Sequence, residues 1–287
     1  VGPLGAAPRP PAATWDLAGR VVANGPVSQG LRVLDVELPR AIDFLPGQFA
    51  MLNLTGPARL VFRRPFSILA TAGRTISFLY RAIGRGTSLM AGLAPGAAVE
   101  CLAPLGQPFP APAAATPPVL ILAGGVGLPP LYAWFARYRR PADLACFGGR
   151  DLDDVPWDLV PPPWQVSVDR LDGAAARSVF HGLVTELALA CVGEPGDATP
   201  RLVLACGPTP LLRAAARLAR ERGWPCRVSL EEHMGCGYGV CKGCVVPVRD
   251  PGPPGWRHAT SCTEGPVFDA ALIDWDRFGH AAAGGPA

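Results

Sequence analysis

Charge is what this sequence has least of. Only 17% of its 287 residues are Asp, Glu, Lys or Arg, and the formal net charge is +3, against about 25% charged residues in an ordinary globular chain. Two explanations stay open: part of the surface is covered by a partner, or the composition has drifted towards Ala and Pro. The small net charge, with no Lys/Arg-rich block, excludes the electrostatic footprint of a nucleic-acid binder. No apolar run reaches the roughly 18 residues of a membrane-crossing helix; the longest candidate, Val119 to Val126, is short and ends in glycines. Val1 to Pro11 lacks the basic start and apolar core of a secretory signal, and is expected to be a disordered Pro/Gly/Ala tail. Internal repeats are absent. An even cysteine count is absent too: there are nine, which with no export signal argues against a disulfide framework and for a reducing cytoplasm. Five of them, Cys101, Cys146, Cys191, Cys206 and Cys226, stand isolated in apolar settings and are expected to act as small hydrophobes.

What is present divides by pattern. From Trp15 to Pro108, short apolar runs (Gly19 to Val22, Leu31 to Leu38, Gln48 to Leu54, Thr75 to Tyr80, Ala98 to Leu102) alternate with Gly, Pro and Asn, as in an all-β barrel. A Pro/Ala stretch, Pro110 to Pro118, reads as an interdomain connection. Beyond it, the continuous apolar run Val119 to Ala123 suits a parallel strand buried on both faces. Further strands are expected at Leu144 to Phe147, Gln165 to Val168 and Leu202 to Cys206, and helices at Pro129 to Tyr138, Leu183 to Ala190 and Thr209 to Arg222. This alternation predicts a doubly wound α/β domain. From about Arg227 the chain is Gly/Cys-rich without helical period, and is expected to be held by a ligand rather than by a core of its own.

The most specific motif is Cys236-Gly-Tyr-Gly-Val-Cys241-Lys-Gly-Cys244 with Cys262 beyond it. This C-x4-C-x2-C spacing with a distant fourth cysteine is that of a plant-type [2Fe-2S] site. Three thiolates must converge from one tight loop, and the interspersed glycines allow the sharp turns this requires. Structural zinc sites pair their ligands in two compact knuckles instead.

Two weaker constellations accompany it. Arg64-Pro65-Phe66-Ser67 offers a guanidinium for a diphosphate, a ring face for an isoalloxazine and a hydroxyl for its polar edge, which suits FAD. Leu79-Tyr80-Arg81, followed by the turn Gly84-Arg85-Gly86-Thr87, ends a strand with backbone N–H groups in the manner of an anion-binding turn, although an ordinary glycine hairpin reads the same way. Ala103 to Phe109 is a candidate to line the same cofactor from the other side. After the Val119 strand, Gly124-Gly125-Val126-Gly127 opens a helix, and Cys206-Gly207-Pro208 follows another strand. Both fall at the carboxyl ends of strands, where open α/β sheets bind nucleotides. The full G-x-G-x-x-G fingerprint is missing.

Taken in order, Arg64 to Ser67, Tyr80-Arg81 with Gly86-Thr87, Gly124 to Gly127, Ala205 to Pro208, Ser229 to Cys236, Cys244 to Pro247 and Cys262 to Asp269 resemble the ferredoxin–NADP reductase superfamily. Within it they resemble the electron-transfer subunits of NAD-dependent (class 1B) dihydroorotate dehydrogenases. The resemblance implies an α+β multidomain chain: a disordered tail over 1–13, an antiparallel FAD-binding β-barrel over 14–112, a doubly wound parallel NAD-binding α/β domain over 113–226, and a small C-terminal [2Fe-2S] module over 227–287. It implies FAD on Arg64, Pro65, Phe66, Ser67, Leu79, Tyr80, Arg81, Gly86 and Thr87. It implies NAD on Gly124, Gly125, Gly127, Cys206, Gly207 and Pro208, and the cluster on Cys236, Cys241, Cys244 and Cys262. No acid–base residue is called for, because hydride and electron chemistry belongs to the cofactors. The implied partner is an FMN-containing catalytic subunit in a two-plus-two heterotetramer that oxidises dihydroorotate. His233, Met234 and a surface elaboration over Cys191 to Pro200 depart from the pattern, Phe66 stands where Tyr is frequent, and the role of Tyr238 is open. Two other readings stand beside this one: the small subunit of a flavin-bifurcating transhydrogenase or a hydrogenase, where Asp tends to replace one cluster cysteine, and a non-catalytic cluster-binding assembly module.

Overall fold

The structure is a computed structural model describing residues 13–56, 59–171, 178–193 and 199–279. The expected tail therefore lies, but for its last residue, outside the described residues, as does the middle of the 191–200 elaboration.

Six strands close a barrel: β1 (Trp15–Pro26), β2 (Arg32–Glu37), β3 (Phe49–Leu54), β4 (Arg64–Ala72), β5 (Thr75–Tyr80) and β6 (Ala98–Leu105). All neighbours are antiparallel, in the order β1-β2-β5-β4-β3-β6. Alternation places Leu34, Val36, Ile76, Phe78 and Ile68 inside. The strand pairs share every ladder, so no edge is left for intermolecular pairing. The Gly84 to Thr87 turn is the start of a short helix, α1 (Arg85–Ala91), rather than a hairpin.

The second layer is a seven-stranded sheet of β7 (Val119–Gly124), β8 (Leu144–Gly149), β9 (Gln165–Val168), β10 (Phe180–His181), β11 (Leu202–Cys206), β12 (Cys226–Ser229) and β15 (Val267–Asp269), in the order β10-β9-β8-β7-β11-β12-β15. All pairs are parallel except β12 with β15. The continuous apolar strand β7 is buried on both faces. Leu120 and Leu122 face one core with α3 (Val184–Val192) and α4 (Thr209–Glu221), while Val119, Ile121 and Ala123 face the other with α2 (Leu128–Tyr138). The sheet order reverses between β7 and β11, so a crevice opens beyond their carboxyl ends.

The Pro110 to Pro118 stretch is pinned to this layer. The Trp134 indole N–H donates to the Pro110 carbonyl at 2.8 Å, and the Arg140 guanidinium donates to the Thr116 and Pro117 carbonyls. Barrel residues Leu31, Leu69 and Leu79 enter the core on the α2 face, which fixes barrel against sheet by apolar contact.

The segment after Arg227 has no core of its own but shares that of the parallel sheet: Val246, Val248, Ala259, Ile273 and Phe278 are buried with Leu212, Ala215 and Val228. Its hairpin of β13 (Val245–Arg249) and β14 (Trp256–Thr260) is antiparallel. Apolar residues spaced two apart in a strand read as a loop when glycine and cysteine dominate the window. Among the described residues, no helix is long and apolar enough to cross a membrane.

Candidate functional site

The two glycine loops meet at the switch point. A side chain on Gly127 would collide with the carbonyl of Cys206, and one on Gly207 (φ +152°) would press on the Gly124 backbone at 3.1 Å. Their contact leaves a cavity of ≈490 Å³ walled by Gly124, Gly125, Gly149, Thr185, Pro208 and Glu231. Such a volume suits a cofactor-sized ligand. Gly124, Gly125, Gly127, Cys206, Gly207 and Pro208 are thus brought together as expected. The Cys206 thiol itself is buried; burial pushes it up to about 12, with Glu231 adding to the rise and the Ser229 hydroxyl and Gly207 N–H opposing it. It is a neutral thiol at physiological pH.

Sequence reasoning missed the acidic side chains of this cavity. Asp154, from the turn after β8, is buried and accepts from Arg150 at 3.2 Å and from Arg81 at 2.7 Å. Burial raises the Asp154 carboxyl, but these donors outweigh it and hold it below its usual value. Arg81, expected among the flavin contacts, lines this cavity and ties the end of β5 to the α/β layer. Asp169, at the carboxyl end of β9, also lines the cavity; its pKa is raised by burial and then by the carboxylates of Asp154 and Glu186. No local motif announces these residues, because Arg81 and Asp154 stand 73 positions apart.

On the barrel, Arg64, Pro65, Phe66 and Ser67 form the half-buried start of β4. Arg64 lies beside the first turn of α1: a Cβ on Gly86 would be 3.5 Å from its Nε. Thr87 caps that turn, its Oγ1 accepting from the Ile83 and Gly84 N–H groups at 3.1 Å. Phe66 packs edge-on against Tyr80, with ring centroids 6.3 Å apart. The Leu79 and Tyr80 side chains point away from any surface groove; the Tyr80 hydroxyl donates to Asn24 Oδ1 at 2.7 Å and accepts from Arg32. The 103–109 stretch turns towards the C-terminal segment: the Gln107 N–H donates to the Gly265 carbonyl and the Gln107 amide to that of Thr263.

The cluster cysteines come as two pairs. The Cys241 N–H donates to Cys236 Sγ and the Cys262 N–H to Cys244 Sγ, both at 3.4 Å. Within each pair the thiols also contact one another. Two irons that each take two thiolates fit this pairing. Among the described residues no three His, Cys, Asp or Glu side chains converge on one point as a single ion would require. Burial raises the Cys236 thiol, but the N–H groups of Cys241, Tyr238 and Val240 and the Cys241 thiol bring it down to about 6. It is a ready thiolate. Lys242, between the second and third cysteines, is the one non-glycine residue with positive φ (+54°) among the described residues, a strained conformation that persists where the surroundings over-determine it.

The loop rests on the barrel. Gly237 (φ +86°) has no room for a side chain, because Met51 Cγ would lie 2.5 Å away. Met51 is the register partner of Pro65. The cluster loop therefore sits over β3, the strand whose ladder neighbour β4 carries the Arg64 to Ser67 strip. Met234 packs in the same small core with Met51, Cys244 and Cys262, which accounts for an apolar residue before the first cysteine; His233 is exposed.

Residues 231–274 match the family model described as the iron-sulfur cluster binding domain of dihydroorotate dehydrogenase B. Similar curated proteins include the "Dihydroorotate dehydrogenase B (NAD(+)), electron transfer subunit" of Caldanaerobacter subterraneus subsp. tengcongensis, 30% identical over 90% of this chain and 98% of that one. The protein of the same name from Geobacillus kaustophilus is 34% identical over 79% and 86%. Among solved structures, an NADH-dependent reduced ferredoxin-NADP oxidoreductase matches with a TM-score of 0.71 at 22% identity, covering 91% of both chains. A ferredoxin NADP+ reductase from Neisseria gonorrhoeae with FAD and NADP bound matches at 0.56 and 16% identity, over 72% of this chain and 92% of that one. At these identities the structures speak for the fold alone.

Proposed function

We propose, since the chain belongs to the family of dihydroorotate dehydrogenase B (NAD(+)) electron transfer subunits, that it draws electrons from a catalytic partner and delivers them to NAD+. The observation that carries this reading is the alignment of three sites. The cysteine loop lies over Met51, Met51 pairs with the Arg64 to Ser67 strand, and Arg81 joins the end of the neighbouring strand to the nucleotide cavity. When bound, a [2Fe-2S] cluster would supply one-electron exchange with the partner's FMN, and FAD would supply the conversion of single electrons to a hydride for NAD+. The chain's own task is position and electrostatics.

In this reading Cys236, Cys241, Cys244 and Cys262 hold the cluster. Arg64 neutralises the FAD diphosphate, Phe66 and Ser67 flank its ring, and Gly86 gives Arg64 the space it occupies. Gly124 to Gly127 and Gly207-Pro208 cradle the NAD diphosphate. The partner docks on the face around the cysteine loop. There Tyr238 and Val240 are exposed (56% and 71%) next to Val61 and Phe62 (91% and 59%), and Phe62 lies 3.9 Å from where a Cβ of Gly235 would be. Exposed apolar side chains gathered at one place mark an interaction surface. An FMN-containing partner, a two-plus-two heterotetramer and a cytoplasmic location complete the proposal.

The test is NADH oxidation by the FAD-loaded chain with ferricyanide, first alone and then with the partner and dihydroorotate-derived electrons running to NAD+. Turnover in the first assay supports the FAD and NAD sites; failure there removes them.

Two substitutions probe those sites. Arg64→Ala removes a charge-assisted donor to the diphosphate, so FAD affinity is expected to fall by about 10–100-fold. Flavin fluorescence titration of the variant measures it, and an unchanged Kd would exclude Arg64 from the site. Asp169 is a cavity carboxylate, placed to accept from a ribose 2′-hydroxyl and to repel a 2′-phosphate. Asp169→Ser is expected to raise kcat/KM for NADPH relative to NADH by about 10–100-fold, as relief of about 1.4–2.7 kcal/mol of like-charge repulsion would give. An unaltered ratio would place the ribose elsewhere.

A further inference from the structure

Cys146 and Cys191 are expected from sequence to be separate small hydrophobes. Cys146 is fully buried in β8, but Cys191 is exposed at the end of α3. The fold brings them together. The buried stripe of α3 is Val184, Leu187 and Ala188, all packed in one core with Cys146. Cys191 continues that stripe three residues beyond Ala188, on the same helix face. At the head of the helix, Val184 Cβ lies 3.0 Å from where a Cβ of Gly148 would be. From there α3 runs back along β8, so its last turn reaches the level of Cys146. The two thiols share a hydrogen bond; it and burial raise Cys146, and it brings Cys191 down to about 7 against the opposing effect of burial. The exposed residue of the pair thus carries the more acidic thiol, and the buried one is a protonated thiol in contact with it. That is the arrangement of an attacking and a resolving cysteine.

We propose that Cys146 and Cys191 are a redox modification site, closing to a reversible disulfide between β8 and α3 when the protein meets a hydroperoxide. The Cys191 thiolate attacks one peroxide oxygen; an S–O bond forms, the O–O bond breaks, and hydroxide leaves to become water. The Cys146 sulfur then attacks Cys191 Sγ. The S–S bond forms as the S–O bond breaks, and the departing hydroxide takes the Cys146 proton as a second water. Two thiols lose two electrons and hydrogen peroxide is reduced to two waters. A thiol reductant reverses the bridge. Because Cys146 stands ready, Cys191 is spared further oxidation to the sulfinic acid.

The test treats the cluster-loaded protein with hydrogen peroxide below the dose that bleaches the cluster, followed by alkylation, trypsin and mass spectrometry. The expected product is the peptide 140–150 joined to 178–201, lighter than their sum by two hydrogens and separated by dithiothreitol. In Cys146→Ser, Cys191 is expected to gain two oxygens instead of a bridge. In Cys191→Ser, which alters an exposed residue and leaves the core intact, Cys146 is expected to stay reduced. A wild-type protein in which Cys191 is oxidised while Cys146 remains alkylatable, or in which Cys191 bridges only to a cluster cysteine, overturns the proposal.

Discussion

Replacing Cys241 by Ala is expected to reduce electron flow from the partner to NAD+ by at least about a hundredfold, a larger loss than the 10–100-fold typical of outer-shell changes around a metal. NADH oxidation with ferricyanide should stay within about threefold of the parent, since the nucleotide and flavin chemistry does not need the cluster. The physical basis is the pairing of thiols. Cys241 is exposed, and its side chain is the partner of Cys236 in one of the two pairs. Without it one iron loses half its protein ligands, and the remaining pair of Cys244 and Cys262 is buried and cannot move to replace it. The Arg64 to Ser67 strand is held by its own ladder with β3 and draws nothing from the cysteine ligands, so flavin binding survives. Iron content and the visible spectrum would show the cluster gone, and the two assays would part company. A variant that relays at the parent rate with no bound iron would remove the cysteine loop from the path.

Gly127→Ala is expected to lower kcat/KM for NADH by about a hundredfold and to cost about 1–3 kcal/mol of stability, the range for forcing atoms into filled space. The backbone of Gly127 has φ −78°, which any residue adopts, so the constraint is space alone. An added methyl meets the carbonyl of Cys206 and the N–H side of Gly207. Those atoms belong to the other glycine loop, and neither can yield without opening the contact that shapes the cavity. The start of α2 would shift away from β11, and both walls of the diphosphate cradle would move at once. Ferricyanide assays at varied NADH, set beside a thermal melt, separate the two effects. An Ala variant with unchanged KM and melting temperature would mean that the loops do not touch in solution.

These substitutions rest on features that differ in how far the sequence displays them. The cysteine frame is local: four ligands are specified by spacing, and the glycines between them announce the turn. Strands β7 and β11 are equally plain, because burial on both faces leaves uninterrupted apolar runs. The short helix α1 is hidden by Gly84-Arg85-Gly86, which mimics a hairpin turn, and the strands β12 and β15 are hidden because their pairing spans some forty residues of polar, glycine-rich chain. The cavity carboxylates are hidden for a related reason. Asp154 becomes a site residue only when Arg81 arrives from the barrel, and Cys191 becomes more than a surface thiol only when α3 folds back along β8. Tyr80, read from the motif as a cofactor contact, also has a structural task invisible in the sequence: its ring is in the barrel core and its hydroxyl bonds Asn24 and Arg32.

The most direct measurement of the central claim is an anaerobic titration of the chain, copurified with its FMN-containing partner, with dihydroorotate while the visible spectrum is recorded. The account predicts that both the flavin and the cluster absorption bleach, and that adding NAD+ restores them with one NADH formed per dihydroorotate consumed. FAD and cluster bands that stay unchanged with the partner present and dihydroorotate in excess would contradict it.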